Sequence, residues 1–195
     1  MFESPFDKKT KGSSITLSED SDIVFVSDMF VEDYVGGAEL TTQALIDSSP
    51  LKIQKVKSHE ITFDLLEQGH QKFWVFGNFA NLNLELIPTI VANMNYSVLE
   101  YDYKYCKWRS PQKHEAAEGV PCDDKDSIHG KMVSAFLYGA KSLWWMSEAQ
   151  MSHYHTIFPF LSERENVVLS SVFDETFFLT AKILVEKYKD TERKG

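Results

Sequence analysis

A short β-rich run followed by a glycine pair constrains the fold of this chain most. The run at Asp22–Ser27 (DIVFVS) is apolar, and GGAE at Gly36–Glu39 follows it and opens a helical pattern. A strand, a loop and a helix that starts at glycines form the first unit of an α/β nucleotide-binding layout. Glycine lets a ligand approach the backbone closely, and the helix start presents free N–H groups and the positive end of the dipole. We therefore expect an anion site here, with nucleotide phosphates as one candidate.

Segments with strand and helix patterns alternate along the rest of the chain. The strand candidates are Ile23–Ser27, Lys52–Lys57, Lys72–Phe76, Ser97–Tyr101, Ser142–Met146 and Val167–Ser170. The helix candidates are Ala38–Ser48, Thr62–Glu67, Asn83–Asn93, Lys131–Gly139, Glu148–Phe158 and Glu175–Tyr188, the last with an N-cap at Asp174. Such alternation predicts an α/β fold, a Rossmann-like three-layer sandwich with a mostly parallel sheet of six or seven strands. Right-handed crossovers then place every strand-to-helix loop at one edge of the sheet, where ligands bind.

Two stretches lack this periodicity. Residues 1–20 are polar and predict an irregular arm, with one short edge strand at Ser14–Leu17. Residues 21–195 then form a single Rossmann-like domain. Within it, the stretch Asp102–Gly130 contains both cysteines and is expected to be an irregular loop. Loops of that length inside a compact domain are usually functional or disordered.

The acidic balance of the chain argues against one class of partner. The net charge is −9 over 195 residues, whereas nucleic-acid binders usually carry a basic face. No apolar run approaches the length that crosses a bilayer, and the first residues lack the layout of a signal peptide. We therefore expect a cytoplasmic protein with no transmembrane segment and with no nucleic acid as a partner.

The two cysteines, Cys106 and Cys122, are too few for a disulfide framework in a chain of this size. Together with His114 they are residue types that bind metals. Structural zinc sites usually present close C-x₂₋₄-C pairs, however, and this spacing contains none. The pattern therefore favours two free thiols and no metal.

Polar and aromatic residues follow the fourth strand candidate, at the edge where ligands are expected. Asp102 is placed there to act as a general base, and the alternative is an ion pair with Lys104 or Arg109. Lys107 and Lys113 form a basic cluster with Lys104 and Arg109. The cluster either binds an anionic substrate or is a solvated loop. The same stretch contains four aromatic residues, Tyr101, Tyr103, Tyr105 and Trp108. Their faces could stack on sugar rings, and the alternative is that they are half-buried loop residues.

Two predicted helix starts carry further candidates. Glu39 falls in the first turn of its helix, where a carboxylate either offsets the helix dipole or contacts a substrate. The segment from Ser147 to Gln150 is typical of a capping box. In that motif the serine hydroxyl accepts from the backbone of Gln150, and the glutamine side chain reaches back to the start of the helix.

Three segments resemble, in their order along the chain, the amino-terminal domain of family-4 glycosyltransferases. They are VGGAELTT at 35–42, WMSEAQ at 145–150 and SSVFDETFF at 170–178. The resemblance covers roughly residues 22–180 on an alternating layout of the doubly wound kind. It implies the GT-B architecture, in which two Rossmann-like domains face each other across a cleft. The amino-terminal domain of such enzymes mostly binds the acceptor, and its glycine loop touches the donor diphosphate.

The resemblance also implies roles for particular residues. Gly36 and Gly37 would contact the diphosphate, and Glu39 would lie near the reacting groups. Asp102 falls where many members of the family place a histidine, and with Glu39 it is the catalytic candidate. Independently of the resemblance, Tyr103, Lys104, Arg109 and Ser147 are predicted to make further substrate contacts.

The implied activity is transfer of a sugar from a nucleotide-sugar donor to a glycan or other hydroxyl acceptor, without metal or cofactor. On this interpretation the chain is the acceptor-binding half. A donor-binding domain, fused or separate, is expected to complete it, because positioning both reactants supplies much of the rate. The alternative function is a non-catalytic Rossmann-like binding or scaffold module.

Overall fold

The structure is a computed structural model that describes residues 15–171, 175–189 and 191. Its strands are β1 (Ile23–Ser27), β2 (Ile53–Lys57), β3 (Phe73–Phe76), β4 (Asn95–Glu100), β5 (Ser142–Trp145) and β6 (Glu165–Val168). Its helices are α1 (Gly37–Ser48), α2 (Phe63–Gln68), α3 (Ile87–Asn93), α4 (Pro111–Glu118), α5 (Ile128–Gly139), α6 (Glu148–Ile157) and α7 (Glu175–Tyr188).

The six strands form one sheet in the order β2-β1-β3-β4-β5-β6, and every neighbouring pair is parallel. The fold class predicted from the alternation is thereby confirmed. The chain passes from β1 to one side for β2 and then crosses to the other side of β1 for β3. Connections from β1 and β3 therefore diverge, and the carboxyl ends of these two strands border the crevice in which open α/β sheets bind ligands.

Alternating side chains of the strands build two separate cores, one on each face of the sheet. Val24, Trp74 and Phe76 belong to the larger core, which residues of α2, α3, α5 and α6 complete. Phe25 and Val75 point to the opposite face and pack in a smaller core with α1. This is the three-layer arrangement, because a parallel sheet is stable only when both of its faces are covered.

The larger core is rich in aromatic contacts around α5. The ring of Phe136 lies 5.1 Å from that of Phe76, 5.1 Å from that of Tyr96 and 4.9 Å from that of Phe79. The Tyr96 hydroxyl donates a hydrogen bond to the carbonyl of Phe136 at 2.6 Å. These contacts fix α5 against β3 and β4, and so they position the loops at the carboxyl edge of the sheet.

The predicted edge strand at Ser14–Leu17 is wrong for the described residues 15–17, which form no strand. Leu17 is buried. Its N–H contacts Gln68 Oε1 at 3.5 Å, and the N–H of Ser18 donates to Gln54 Oε1 at 2.7 Å. The side-chain oxygens of two glutamines therefore accept from these backbone N–H groups, where a neighbouring strand would otherwise supply the acceptors.

The expected irregular loop over Asp102–Gly130 is also wrong in part, because it contains α4 and the beginning of α5. Helix α4 is defined by its ends. Ser110 Oγ accepts from the N–H of Lys113 at 3.3 Å, Pro111 is the first helical residue, and Gly119 ends the helix with φ +73°. Its interior is polar and carries no apolar period, so a search for amphipathic helices does not find it.

Helix α7 occupies the predicted segment but buries none of its side chains among the described residues. The expected N-cap Asp174, and the centre of the segment at 170–178 that carries the third resemblance, lie outside the described residues. No helix in the described ranges has the length and apolarity needed to cross a membrane.

Candidate functional site

The start of α1 lies at the carboxyl edge of the sheet, and its two glycines differ in surroundings. A Cβ placed on Gly37 would meet no atom within 4 Å, so the backbone of the first helical residue faces open space. A Cβ on Gly36 would lie 2.6 Å from Glu39 Oε2 and 2.7 Å from Tyr34 Cε1. Gly36 therefore makes room for the side chains of Tyr34 and Glu39, whereas Gly37 has open space where its Cβ would be.

Glu39 lies in the first turn of α1, and its charge acts on Tyr101 at the end of β4. Its side chain is 7% exposed, and no ion pair holds it among the described residues. One turn further along α1, Thr42 Oγ1 lies 2.6 Å from the hydroxyl of Tyr101, the residue directly after β4. Burial, and to a smaller extent the charge of Glu39, raises the pKa of Tyr101, so its phenol stays protonated. Either role expected for Glu39, with the dipole or with a substrate, is compatible with this position.

Asp102 lies at the centre of a network of charges at the end of β4. Arg109 Nε donates to Asp102 Oδ2 at 2.6 Å, and Lys104 Nζ donates to Asp102 Oδ1 at 3.1 Å. The two ion pairs that the sequence offered as an alternative are therefore both present. Burial opposes ionisation of Asp102, but Lys104 and Arg109 outweigh it and hold the pKa of the carboxyl below its usual value. The carboxylate is consequently ionised at neutral pH.

The same network joins three strand ends. Arg109 Nη2 donates to Asn78 Oδ1 at 2.7 Å, which ties the loop after β4 to the loop after β3. Gln150 Nε2, in the first turn of α6, donates to the carbonyl of Asp102 at 2.9 Å. Asp102 thus organises the carboxyl edge around β3, β4 and β5.

A cavity of about 300 Å³ opens beside this network. It lies between the loop after β3, the loop after β4 and the first turns of α5. Its lining combines three basic side chains with apolar ones and a histidine: Phe79, Ala80, Leu84, Lys104, Cys106, Lys107, Arg109, His129 and Val133. The basic cluster predicted from sequence is thus largely assembled, although Lys113 does not line the cavity and Gly36 and Gly37 lie outside it.

The cations of the cavity are all engaged. Lys104 pairs with Glu100 and Asp102, Arg109 pairs with Asp102, and Lys107 pairs with Glu118. His129 Nε2 lies 2.6 Å from the carbonyl of Lys104. The positive charge is therefore balanced locally, and the cavity suits a polar ligand with an apolar face better than a highly charged anion.

Tyr103 and Ser147, two of the predicted substrate contacts, both make contacts within the protein. The ring of Tyr103 packs on α6, with its centre 5.0 Å from that of His153 and 5.9 Å from that of Tyr154. Ser147 is exposed, and its hydroxyl caps α6 by accepting from the N–H of Gln150 at 3.1 Å. The glutamine side chain reaches back as expected, but its Oε1 accepts from Met146 N at 2.8 Å. These contacts assign structural work to both residues.

Asp28, at the end of β1, is a contributor that the sequence analysis missed. Its carboxylate accepts from the N–H groups of Ala80 at 3.0 Å and Asn81 at 2.9 Å, and from the hydroxyl of Ser58. It therefore fixes the loop after β3, which forms one wall of the cavity. A polar residue directly after a buried strand is the signal that could have identified it.

A second group of side chains lies in the connection between β4 and α5. One ligand atom from each of Cys106, His114, Cys122 and Asp124 lies within 4.8 Å of the other three. Both cysteines are free. Burial raises the pKa of Cys122 to about 12, so that thiol is neutral in the chain alone. The cysteines are widely spaced in the sequence, which favoured no metal, but the fold brings them together with His114 and Asp124.

Together the fold and this edge define a Rossmann-like α/β domain with open space at Gly37 and a cavity of mixed polar and apolar lining beside Asp102. Comparisons with protein-family descriptions, with curated proteins and with solved structures gave no match to this chain.

Proposed function

We propose that this domain is the acceptor-binding half of a glycosyltransferase that moves a sugar from a nucleotide-sugar donor to a hydroxyl acceptor. The observation that carries the proposal is the open space at Gly37, in the first turn of a helix of 12 residues at the ligand-binding edge. Backbone N–H groups at such a position stabilise a diphosphate, both when it is bound and when it departs.

The cavity beside Asp102 is the proposed acceptor site. Its apolar walls, Phe79, Leu84 and Val133, fit the less polar face of a sugar or another polyol. Its cations are already paired with carboxylates. A neutral hydroxyl acceptor therefore fits the cavity better than an anionic one.

Glu39 is the better candidate for the base in this reaction. It does not line the cavity, so it would take the proton of an acceptor hydroxyl that extends beyond the cavity toward the start of α1. Asp102 is held by two cations, which lowers its tendency to accept a proton. Glu39 has no ion-pair partner among the described residues and lies in the first turn of the diphosphate-binding helix. Asp102 then acts as a positioning residue that holds Lys104 and Arg109 at the rim of the cavity.

Transfer also requires a domain that binds the nucleotide-sugar, either fused to this one or supplied by a partner. Alone, the domain is expected to bind both classes of ligand weakly and to transfer sugar slowly or not at all. A cytoplasmic location, where nucleotide sugars would be accessible and thiols stay reduced, belongs to the same proposal.

The proposal is tested by calorimetric titration with UDP, GDP and ADP and with short glycans. We expect a dissociation constant of about 1 mM or tighter for one diphosphate, which corresponds to about −4 kcal/mol. Gly37→Val should weaken that binding by roughly tenfold or more, about 1.4 kcal/mol, because the side chain fills the approach to the helix start. Ala149→Val is the matched control, since Ala149 is exposed in the first turn of α6.

The alternative, a non-catalytic binding or scaffold module, is favoured by the complete pairing of the cavity cations. It predicts that neither the diphosphates nor the glycans bind at millimolar concentration. Unchanged diphosphate binding in the Gly37→Val variant would remove α1 from the site and would count against the glycosyltransferase proposal.

A further inference from the structure

Four side chains of the β4–α5 connection converge although they are spread over 19 residues of sequence. Cys106 follows β4, His114 lies in α4, Cys122 follows α4, and Asp124 begins the short 3₁₀ turn Asp124–Asp126. Cys106 Sγ lies 3.7 Å from His114 Nδ1, and His114 Nδ1 lies 3.4 Å from Asp124 Oδ2. All four ligand atoms lie within 4.8 Å of one another.

We propose that these four side chains bind one Zn²⁺ ion. Zinc bonds of about 2.0 to 2.3 Å at tetrahedral angles separate neighbouring ligand atoms by roughly 3.3 to 3.8 Å. The two distances given above already fall in that range. Two thiolates, an imidazole and a carboxylate are ligands that zinc takes in proteins, and the soft sulfur atoms disfavour Mg²⁺ and Ca²⁺.

Burial separates this group from an ordinary surface cluster. Cys106 is 1% exposed and His114 is 3% exposed, so half of the ligand set lies inside the protein. A thiol buried so deeply is a poor nucleophile toward solutes, which argues against a reactive cysteine. Metal binding explains why four potential ligand atoms converge here, which packing alone does not explain.

The surrounding backbone already orients one of the ligands. The N–H of Lys107 donates to Asp124 Oδ2 at 2.7 Å. A hydrogen bond of this kind fixes the orientation of a metal ligand and raises metal affinity. The set arises from the connection itself and requires no partner chain.

The proposed ion is structural. Four protein ligands complete a tetrahedral zinc site and leave no position open for a substrate. The ion would cross-link the end of β4 to α4 and to the turn before α5, a connection that otherwise has only the short α4 and one 3₁₀ turn. Because Cys106 and Lys107 also line the cavity, the ion would stabilise one of its walls. On binding, Cys106 and Cys122 each release a proton to solvent and become thiolates, so two protons leave for each ion bound.

The first test measures metal in the protein produced without a histidine tag in zinc-containing medium. Mass spectrometry of the metal content should give about one zinc per chain after gel filtration. After removal of the metal by a chelator, addition of Co²⁺ alone should produce the intense visible bands of tetrahedral cobalt and the near-ultraviolet absorption of cobalt–thiolate bonds. Neither measurement depends on a variant that has to fold.

Variants then assign the ligands. Asp124→Asn and Cys122→Ser should lose zinc at least tenfold faster to a chelator than the native chain does. Asp123→Asn, one residue away and exposed, is the matched control and should retain zinc like the native chain. A protein that contains less than a tenth of an equivalent of zinc and shows no thiolate band with Co²⁺ would overturn the proposal. So would equal zinc retention in Asp124→Asn, Cys122→Ser and the native chain. None of these outcomes bears on diphosphate binding at α1.

Discussion

Glu100, the last residue of β4, carries a buried carboxyl whose few polar contacts only partly replace the water lost on burial. It is 1% exposed, and its Oε1 lies 3.3 Å from Lys104 Nζ and accepts weakly from two backbone N–H groups. Its Oε2 is buried without a hydrogen-bond partner among the described residues, as is the hydroxyl of Tyr154. Burial raises the pKa of Glu100 to about 7 against the opposing charge of Lys104, and the nearby charge of Asp102 adds to the increase.

This raised pKa predicts a specific dependence of stability on pH. The native chain keeps the proton of Glu100 between its ordinary pKa near 4.5 and about 7, a range in which the unfolded chain has lost it. Stability therefore falls as the pH rises through that range. Between pH 5 and pH 8, the free energy of unfolding of the native sequence should fall by on the order of 1–3 kcal/mol more than that of Glu100→Gln.

Urea unfolding at several pH values measures this difference. A chelator in all samples removes any contribution from metal-bound thiols. Glu19→Gln, at an exposed position, should follow the native pH profile. Parallel profiles for Glu100→Gln and the native chain would show that Glu100 does not titrate in this range.

Arg109 has a strained backbone conformation, and its side chain joins two loops through hydrogen bonds. It adopts φ +56°, which is unfavourable for residues other than glycine, while its guanidinium holds Asp102 and Asn78. Arg109→Ala loses the ion pair and keeps the strain, whereas Arg109→Gly loses the ion pair and relieves it. We expect both variants to be less stable than the native chain, with the glycine variant more stable than the alanine variant by about 1 kcal/mol. Urea unfolding of the three proteins tests this order, and an alanine variant as stable as the glycine variant would contradict it.

At the scale of elements, the approach of α5 to the turn before it depends on Gly130. A Cβ at this position would lie 2.1 Å from the carbonyl oxygen of Asp124 and 2.8 Å from the Cα of Lys125, and backbone atoms cannot move aside as a side chain can. We expect Gly130→Ala to destabilise the protein by about 1–3 kcal/mol. Thermal or urea unfolding measures the change, and the proposed zinc site should also lose affinity because Asp124 is displaced.

Gly37→Ala is the matched control for that substitution. Its Cβ meets open space at the start of a helix, so stability should stay the same or rise by up to about 1 kcal/mol. If both alanine variants are equally stable, the turn before α5 adapts and the close approach at Gly130 is not a constraint.

The elements that the sequence predicted best are those with a strong apolar period. β1 was predicted with its observed bounds because its five residues are almost all apolar, and α5 was found but begins at Ile128 instead of Lys131. Helix α4 was missed because its signals lie at its ends, Ser110-Pro111 and Gly119, and not in a periodic interior. Helix boundaries set by capping are visible in the sequence only when caps are searched for directly.

At the scale of the whole molecule, alternation predicted a parallel sheet but did not by itself determine the order of its strands. The order decides which loops meet, so it also decides which predicted site residues come together. Asp102, Lys104 and Arg109 are close in sequence and were predicted as a group. The contributions of Asp28 and Asn78 depend on the neighbouring positions of β1, β3 and β4. The convergence of Cys106 and Asp124 likewise required the fold.

The proposed function depends on the binding of a nucleoside diphosphate at the first turn of α1. The most direct measurement is a titration of ¹⁵N-labelled protein with UDP, GDP or ADP, followed by two-dimensional ¹H–¹⁵N NMR spectra. We expect the amide signals of Gly37, Ala38 and Glu39 to shift most, with a saturable response at millimolar or lower concentration. Signals of these three residues that stay in place with every nucleotide, or shifts confined to another part of the sheet edge, would contradict it.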